Sequence, residues 1–173
     1  MKKITIATVL ATILINFIQA QNIDVSYNTK KKNKNSGELQ VGEVNTPSAK
    51  VEKDFSKFCK GAENIHWSVV PEGSIAYYTL NEKKGVRFYN KKGAFEYDIL
   101  SYSEEKLPLN IRDKVKQTYY FDYTITLAQE IHTKGKLIYV VQIQDKKTLK
   151  QVRICDDEME VLKEYRLQSS SNQ

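Results

Sequence analysis

The sequence predicts an α+β fold in which a helix followed by a four-stranded antiparallel sheet occurs twice in tandem. Three observations carry this. Val51, Phe55 and Cys59 fall at i, i+4 and i+8, one face of a helix, and Ile111, Val115 and Tyr119 repeat that spacing 60 positions later. Each helical stretch is followed by four short runs rich in aromatic and branched residues, separated by turn residues. Anchors within those runs recur in order: Ile65 with Ile125, Trp67 with Leu127, Tyr77 with Tyr139, and Val86-Arg87-Phe88-Tyr89 with Val152-Arg153-Ile154-Cys155. The offset grows along the chain, which places small insertions at turns and leaves the repeated units intact.

Residues 1–20, MKKITIATVLATILINFIQA, read as a secretory signal peptide. Lys2 and Lys3 form the basic start, Ile4 to Ile18 is mostly apolar, and Ala20 followed by Gln21 is a plausible cleavage point. The apolar run is too short, and too interrupted by Thr5, Thr8, Thr12 and Asn16, for a membrane span. No later stretch approaches that length, so the mature chain is expected to have no transmembrane span and to be periplasmic or secreted. Residues 21–50 form a polar leader containing Lys30 to Glu38, KKKNKNSGE, with one short strand near Ile23 to Tyr27. The first helix-plus-sheet unit is expected over 51–106, the second over 107–167, and a polar tail over 168–173.

In the first unit the strands are placed near Ile65 to Val70, Ile75 to Leu80, Val86 to Tyr89 and Ala94 to Ile99. The breaks are Pro71-Glu72-Gly73, Asn81 to Gly85 and Asn90-Lys91-Lys92-Gly93. Leu107-Pro108 opens the second helix, where proline is tolerated in the first turn. Strands follow near Tyr123 to Ile131, Leu137 to Gln144, Leu149 to Cys155 and Met159 to Leu167. A helix on one face of each sheet would bury that face and leave the other toward water.

The 173-residue chain carries 27 basic and 21 acidic residues. Loss of Lys2 and Lys3 leaves a net charge of +4, too mild and too dispersed for a nucleic-acid binder. There is no nucleophile elbow, zinc-protease helix motif or phosphate-cradling glycine loop. Neither an enzyme nor a cofactor is expected. His66 and His132 read as strand-edge or turn imidazoles. The acidic run Asp156, Asp157, Glu158 and Glu160 lacks the spacing and central glycine of a calcium loop, and reads as a solvated turn.

Several of these residues resemble a known family, the bacterial exported PepSY-like proteins, also called beta-lactamase-inhibitor-like. Phe55-x-x-Phe58 at the helix end and Asn64-Ile65-His66-Trp67 at the first strand carry the resemblance. Tyr77, the hairpin Phe88-Tyr89-Asn90-Lys91-Lys92-Gly93 and the Leu107-Pro108 helix start also fit it. It covers roughly residues 51–167. The chain departs from the pattern at Asp156-Asp157-Glu158-Met159, where the family turns on Asp-Gly. The resemblance implies two helix-plus-sheet repeats in an exported, non-catalytic binding protein, and it names no partner.

The candidate binding residues are tyrosines and lysines. Tyr78, Tyr89 and Tyr97 are expected on a sheet face where the ring packs and the hydroxyl stays wet; the same residues also suit a strand by propensity alone. Trp67 is placed in the core because its counterpart is Leu127. Lys83-Lys84 and Lys146-Lys147 sit at the second hairpin of each unit. They would point the same way if the two sheets joined side by side, either as a cationic tip or as protection against edge pairing. Cys59 and Cys155 allow a single intramolecular disulfide. Cys155 alternates with Ile154, which sets it on the sheet face away from a helix carrying Cys59 and weighs against the bond. The function expected is presentation of a sheet surface to an envelope or extracellular macromolecule, such as an enzyme it inhibits or escorts. The alternative is a lipid or glycan held in a groove between the repeats.

Overall fold

The computed structural model describes residues 46–119 and 122–167. The signal peptide, most of the leader with its short strand, and the C-terminal tail lie outside the described residues. In chain order the elements are α1 (Ala49–Phe58), β1 (Glu63–Val70), β2 (Gly73–Leu80), β3 (Lys83–Asn90) and β4 (Phe95–Tyr102). A short 3-10 turn (Glu104–Lys106) precedes α2 (Leu109–Tyr119), β5 (Thr124–Thr133), β6 (Lys136–Gln144), β7 (Thr148–Cys155) and β8 (Glu158–Arg166).

Helix α1 forms because its apolar residues share one stripe: Val51 and Phe55 are buried while Glu52, Lys53, Ser56 and Lys57 face water. Glu52 in the first turn and Lys57 in the last complement the helix dipole. The Cys59 amide closes the helix on the Phe55 carbonyl, and Gly61, at φ 79°, turns the chain away. In α2 the carbonyl of Pro108 accepts the amides of Ile111 and Arg112, and Ile111 and Val115 point inward.

The eight strands form one antiparallel sheet in the order β1-β2-β3-β4-β5-β6-β7-β8. This corrects the expected architecture of two helix-plus-four-stranded units. β4 and β5 pair over six positions, from Tyr97 opposite Thr133 to Tyr102 opposite Ala128. Two separate sheets would leave β4 and β5 as open edges with unpaired backbone groups, and joining them satisfies both. The core is continuous across the seam as well. Leu100 on β4 packs against the α1 cluster of Val51, Phe55, Ala76, Tyr78 and Tyr89. It also packs against the α2 cluster built on Ile111, Val115, Ala128, Val141 and Val152.

Both helices lie on the same sheet face, the one shared by Tyr78, Gly85, Leu100 and Glu130 through successive cross-strand pairs. The opposite face carries the cross-strand row Tyr77, Val86, Ile99, Ile131 and Ile138. Of these only Tyr77 is exposed. The expected wet, tyrosine-rich face is therefore absent at two of its three nominated positions. Tyr78 and Tyr89 are 4% and 0% exposed and belong to the α1 core. Their strand parity puts them under the helix. Tyr97 is half-buried on the opposite face, its ring 5.3 Å from that of Phe88.

The lysine pairs also sit differently from expectation. Leu80 pairs with Lys83, so the β2–β3 turn is Asn81-Glu82, and Lys83 and Lys84 begin strand β3. Lys146 and Lys147 lie in the β6–β7 turn. The two turns occupy the same end of the sheet, yet four strand spacings separate them, about 19 Å. A single cationic tip does not form.

Candidate functional site

Between the end of α1 and strands β2 to β5 lies an open cleft of about 570 Å³. Its apolar walls are Phe58 from α1, Leu80 from β2, and Phe95 and Leu100 from β4. Phe58 is 59% exposed, with the Lys57 ammonium 5.0 Å and the Arg87 guanidinium 5.4 Å from its ring centre. The floor is polar, and it exists because charged residues occupy inward positions on otherwise apolar strands. Arg87 lies between Val86 and Phe88, Asp98 between Tyr97 and Ile99, and Glu130 and His132 flank Ile131. Cross-strand register brings them together: Arg87 opposes Asp98, Asp98 opposes His132, and Leu100 opposes Glu130.

Two hydrogen-bonded groups make up this floor. In the first, the Tyr78 hydroxyl donates to both oxygens of Asp98, at 2.7 and 2.9 Å. Arg87 Nη1 donates to Asp98 Oδ2 at 3.2 Å, and its Nε donates to the Tyr89 hydroxyl at 2.8 Å. Tyr89 in turn donates to Asp54 Oδ2 at 2.8 Å, which Arg87 Nη2 also reaches at 3.4 Å. The guanidinium lies 4.1 Å from the centre of the Phe95 ring, a stacking geometry that suits a planar cation. Burial pushes the Asp98 carboxyl above its usual value, against the opposing pull of Tyr78 and Arg87. Burial likewise pushes the hydroxyls of Tyr78 and Tyr89 up, so both remain donors at neutral pH.

The second group centres on Glu130. His132 Nε2 lies 2.5 Å from its Oε1, while Lys83 Nζ at 3.3 Å and the Tyr102 hydroxyl at 3.1 Å donate to Oε2. The His132 hydrogen bond, aided by Lys83, draws the Glu130 carboxyl down to about 2 against the effect of burial. Lys83 also lies 4.1 Å over the Tyr102 ring.

Of the residues singled out by sequence, Tyr78, Tyr89, Lys83 and Cys59 converge on this region. Tyr97, Lys84, Lys146 and Lys147 do not. Cys59 lines the cleft, and burial raises its thiol. Cys155 lies on the opposite sheet face, next to Ile154 of the helix face, and both cysteines are free and buried. Trp67 packs edge-on against Phe55, 5.2 Å between ring centres. No motif or spacing in the sequence marks Asp54, Arg87, Asp98 or Glu130, which also line the cleft. The available signal is a charge at inward parity within apolar strands, and it becomes readable only once the buried face is known. Among the described residues no group of three or more His, Cys, Asp and Glu side chains could hold a metal ion, and no helix is long and apolar enough to cross a membrane.

No family model matches the chain, and no curated protein matches it in sequence. Solved structures do share its fold. A BLIP-like protein from Bacteroides fragilis superposes with a TM-score of 0.58 at 11% identity, covering 74% of this chain and 92% of that one. A DUF2874 family protein from Bacteroides ovatus gives 0.57 at 15% identity over 70% and 88% of the two chains. A third, a DUF2874 family protein from Bacteroides uniformis, gives 0.56 at 13% over 70% and 90%. At these identities the likeness is one of fold. It agrees with the beta-lactamase-inhibitor-like part of the sequence resemblance, while neither the PepSY part nor a tandem repeat is matched by these structures.

Proposed function

We propose that this chain is an exported, non-catalytic binding protein that seats part of an envelope or extracellular partner in the cleft between α1 and the sheet. The signal-like N-terminus supports export. The observation that carries the binding reading is the cleft itself: about 570 Å³, walled by apolar side chains, with a few fixed polar groups beneath. The exposed Phe58 at its rim is the kind of aromatic anchor that dominates binding energies. The non-catalytic reading is supported by the way the ionisable groups are used. Asp98 is held by Tyr78 and Arg87, and Glu130 by His132, Lys83 and Tyr102, so each is committed to the protein's own bonds. The shared fold with a BLIP-like protein is consistent with an inhibitory or escorting role, by analogy of fold alone.

The cleft volume also suits a small molecule, so a lipid or glycan guest is the second reading. Capture from an envelope extract, with mature chain from Gln21 as bait, separates the two when wild type is compared with Phe58→Ala. A protein retained by wild type and reduced about tenfold by the variant supports the partner reading. Equal retention by both baits removes the cleft from the binding site. A small molecule that co-purifies with wild type alone shifts the assignment to the second reading.

A further inference from the structure

We propose that the guest of this cleft presents a positively charged group, an ammonium or guanidinium, on an apolar stem. The inference rests on the cleft being the binding site, and it comes from the charges of the floor. Glu130 is matched by Lys83, and His132 is bonded to the same carboxylate. Arg87 alone faces two carboxylates, Asp98 and Asp54. Counted with histidine neutral, and apart from Lys57, whose ammonium lies 5.0 Å over the Phe58 ring at the rim, the floor carries one negative charge in excess.

That excess resides at Asp54. Asp98 is the more enclosed of the two, its side chain 10% exposed, and it is held by the shared Tyr78 hydroxyl proton and by Arg87 Nη1. Asp54 keeps 32% of its side chain exposed and holds Arg87 at the longer distance of 3.4 Å. Both donors that reach it use Oδ2, leaving Oδ1 with no hydrogen bond among the described residues. Asp54 lines the cleft on the same helix as Phe58. A guest cation placed there would take the open Asp54 Oδ1 as a charge-assisted acceptor in a partly desolvated site, where an anion would face that carboxylate. Phe58, Leu80 and Phe95 offer the apolar surface that a stem would cover.

The test uses the mature chain with three probes of similar shape: 3-phenylpropylamine, 3-phenylpropanol and 3-phenylpropionate. Binding is followed by titration of amide signals, which also locates the probe. The amine should bind at the cleft at millimolar concentration, about tenfold more tightly than the carboxylate, with the alcohol between them. Asp54→Asn, which keeps an acceptor for Tyr89, should weaken the amine about fivefold and leave the alcohol unchanged. The amine's advantage should also shrink as salt is raised.

A carboxylate that binds as tightly as the amine overturns the proposal. So does an Asp54→Asn variant that folds with an unchanged thermal midpoint and binds the amine like wild type. Absence of amine binding, combined with loss of partner capture by Phe58→Ala, overturns the charge assignment while leaving the cleft as the binding site. Absence of both overturns the two readings together.

Discussion

The ring of Tyr78 lies against Gly85 on the neighbouring strand so closely that a β-carbon at residue 85 would sit 2.2 Å from it. The glycine is what lets the ring lie down across β3 and deliver its hydroxyl to Asp98. Gly85→Ala should therefore cost about 3 kcal/mol, by overpacking at a buried ring and by loosening the Asp98 hydrogen bonds. Urea denaturation measures it. In a Tyr78→Ala background the same change should cost less than about 1 kcal/mol, because the clash partner is gone. Additive costs would show that the ring and the glycine are not coupled.

Among the described residues Arg87 is the only cation bonded to Asp98, and its side chain is 8% exposed. Replacing it by Met keeps the stacking volume on Phe95 and leaves two carboxylates without their counter-charge. The single variant Arg87→Met should lose about 3 kcal/mol, and the double variant Arg87→Met with Asp98→Asn should recover part of that loss. A double variant less stable than the single one would mean that Asp98 stabilises the fold by some route other than this pair.

Glu130 should make part of the stability acid-sensitive. Its folded carboxyl is drawn down to about 2 from 4.5, chiefly by His132 and then by Lys83. A group depressed in this way contributes its full stabilisation above pH 4.5 and loses it as pH falls toward 2. Asp98 acts with the opposite sign, since burial raises its carboxyl and protonation relieves a desolvated charge. Comparing wild type with Glu130→Gln leaves Asp98 in place in both proteins. Wild type should shed about 2 kcal/mol more than the variant between those limits in denaturant titrations at stepped pH. Parallel curves would contradict the assignment.

How much of this was legible in the sequence depends on which interactions leave a residue signature. Turns do: Gly73 opens β2, Asn90 to Gly93 separates β3 from β4, and Asp156-Asp157 separates β7 from β8. The i, i+4 spacing of Val51 and Phe55, and of Ile111 and Val115, marks the helix faces. The β4–β5 seam leaves none, because it is made of backbone hydrogen bonds between segments about thirty residues apart. Repeated spacing in the two helices suggests two folding units, whereas Leu100 serves both clusters at once. The site was hidden for a related reason. β3 and β4 are apolar on both faces, so alternation does not say which side of the strand Arg87 and Asp98 occupy. Tyr78 and Tyr89 stand out in the sequence by aromatic character, while their place in the structure follows from parity.

The cysteines yield a prediction about redox behaviour. Cys59 sits under α1 and Cys155 on the far face of the sheet, both buried, with burial raising each thiol. Protein isolated without reductant from an oxidising compartment should titrate two thiols per chain in denaturant and react slowly when native. Its thermal midpoint should be the same with and without reductant. A midpoint that falls on reduction would reveal a disulfide and a different arrangement of α1 on the sheet.

The tight turn between β7 and β8 stores strain that a single change should release. Asp156 and Asp157 sit between the paired residues Cys155 and Glu158, with φ of 50° and 65°. That is the two-residue hairpin turn with both central residues left-handed, which best matches the twist of the flanking strands. Aspartate tolerates the first position because its short side chain bonds locally; here Asp156 accepts from Lys136 and from the Cys155 thiol. At the second position glycine is the favoured residue. The Asp157 side chain is fully exposed and its contact with Lys114 spans 3.6 Å, so little is lost on removing it. Asp157→Gly should therefore stabilise the chain by about 0.5 kcal/mol and raise its thermal midpoint by about 1–2 °C. The mirror change Asp156→Gly should not help, because it removes the Lys136 and thiol contacts. If Asp157→Gly lowered the midpoint instead, the Lys114 contact would outweigh the backbone strain, and the turn would have to be read as a tether for α2.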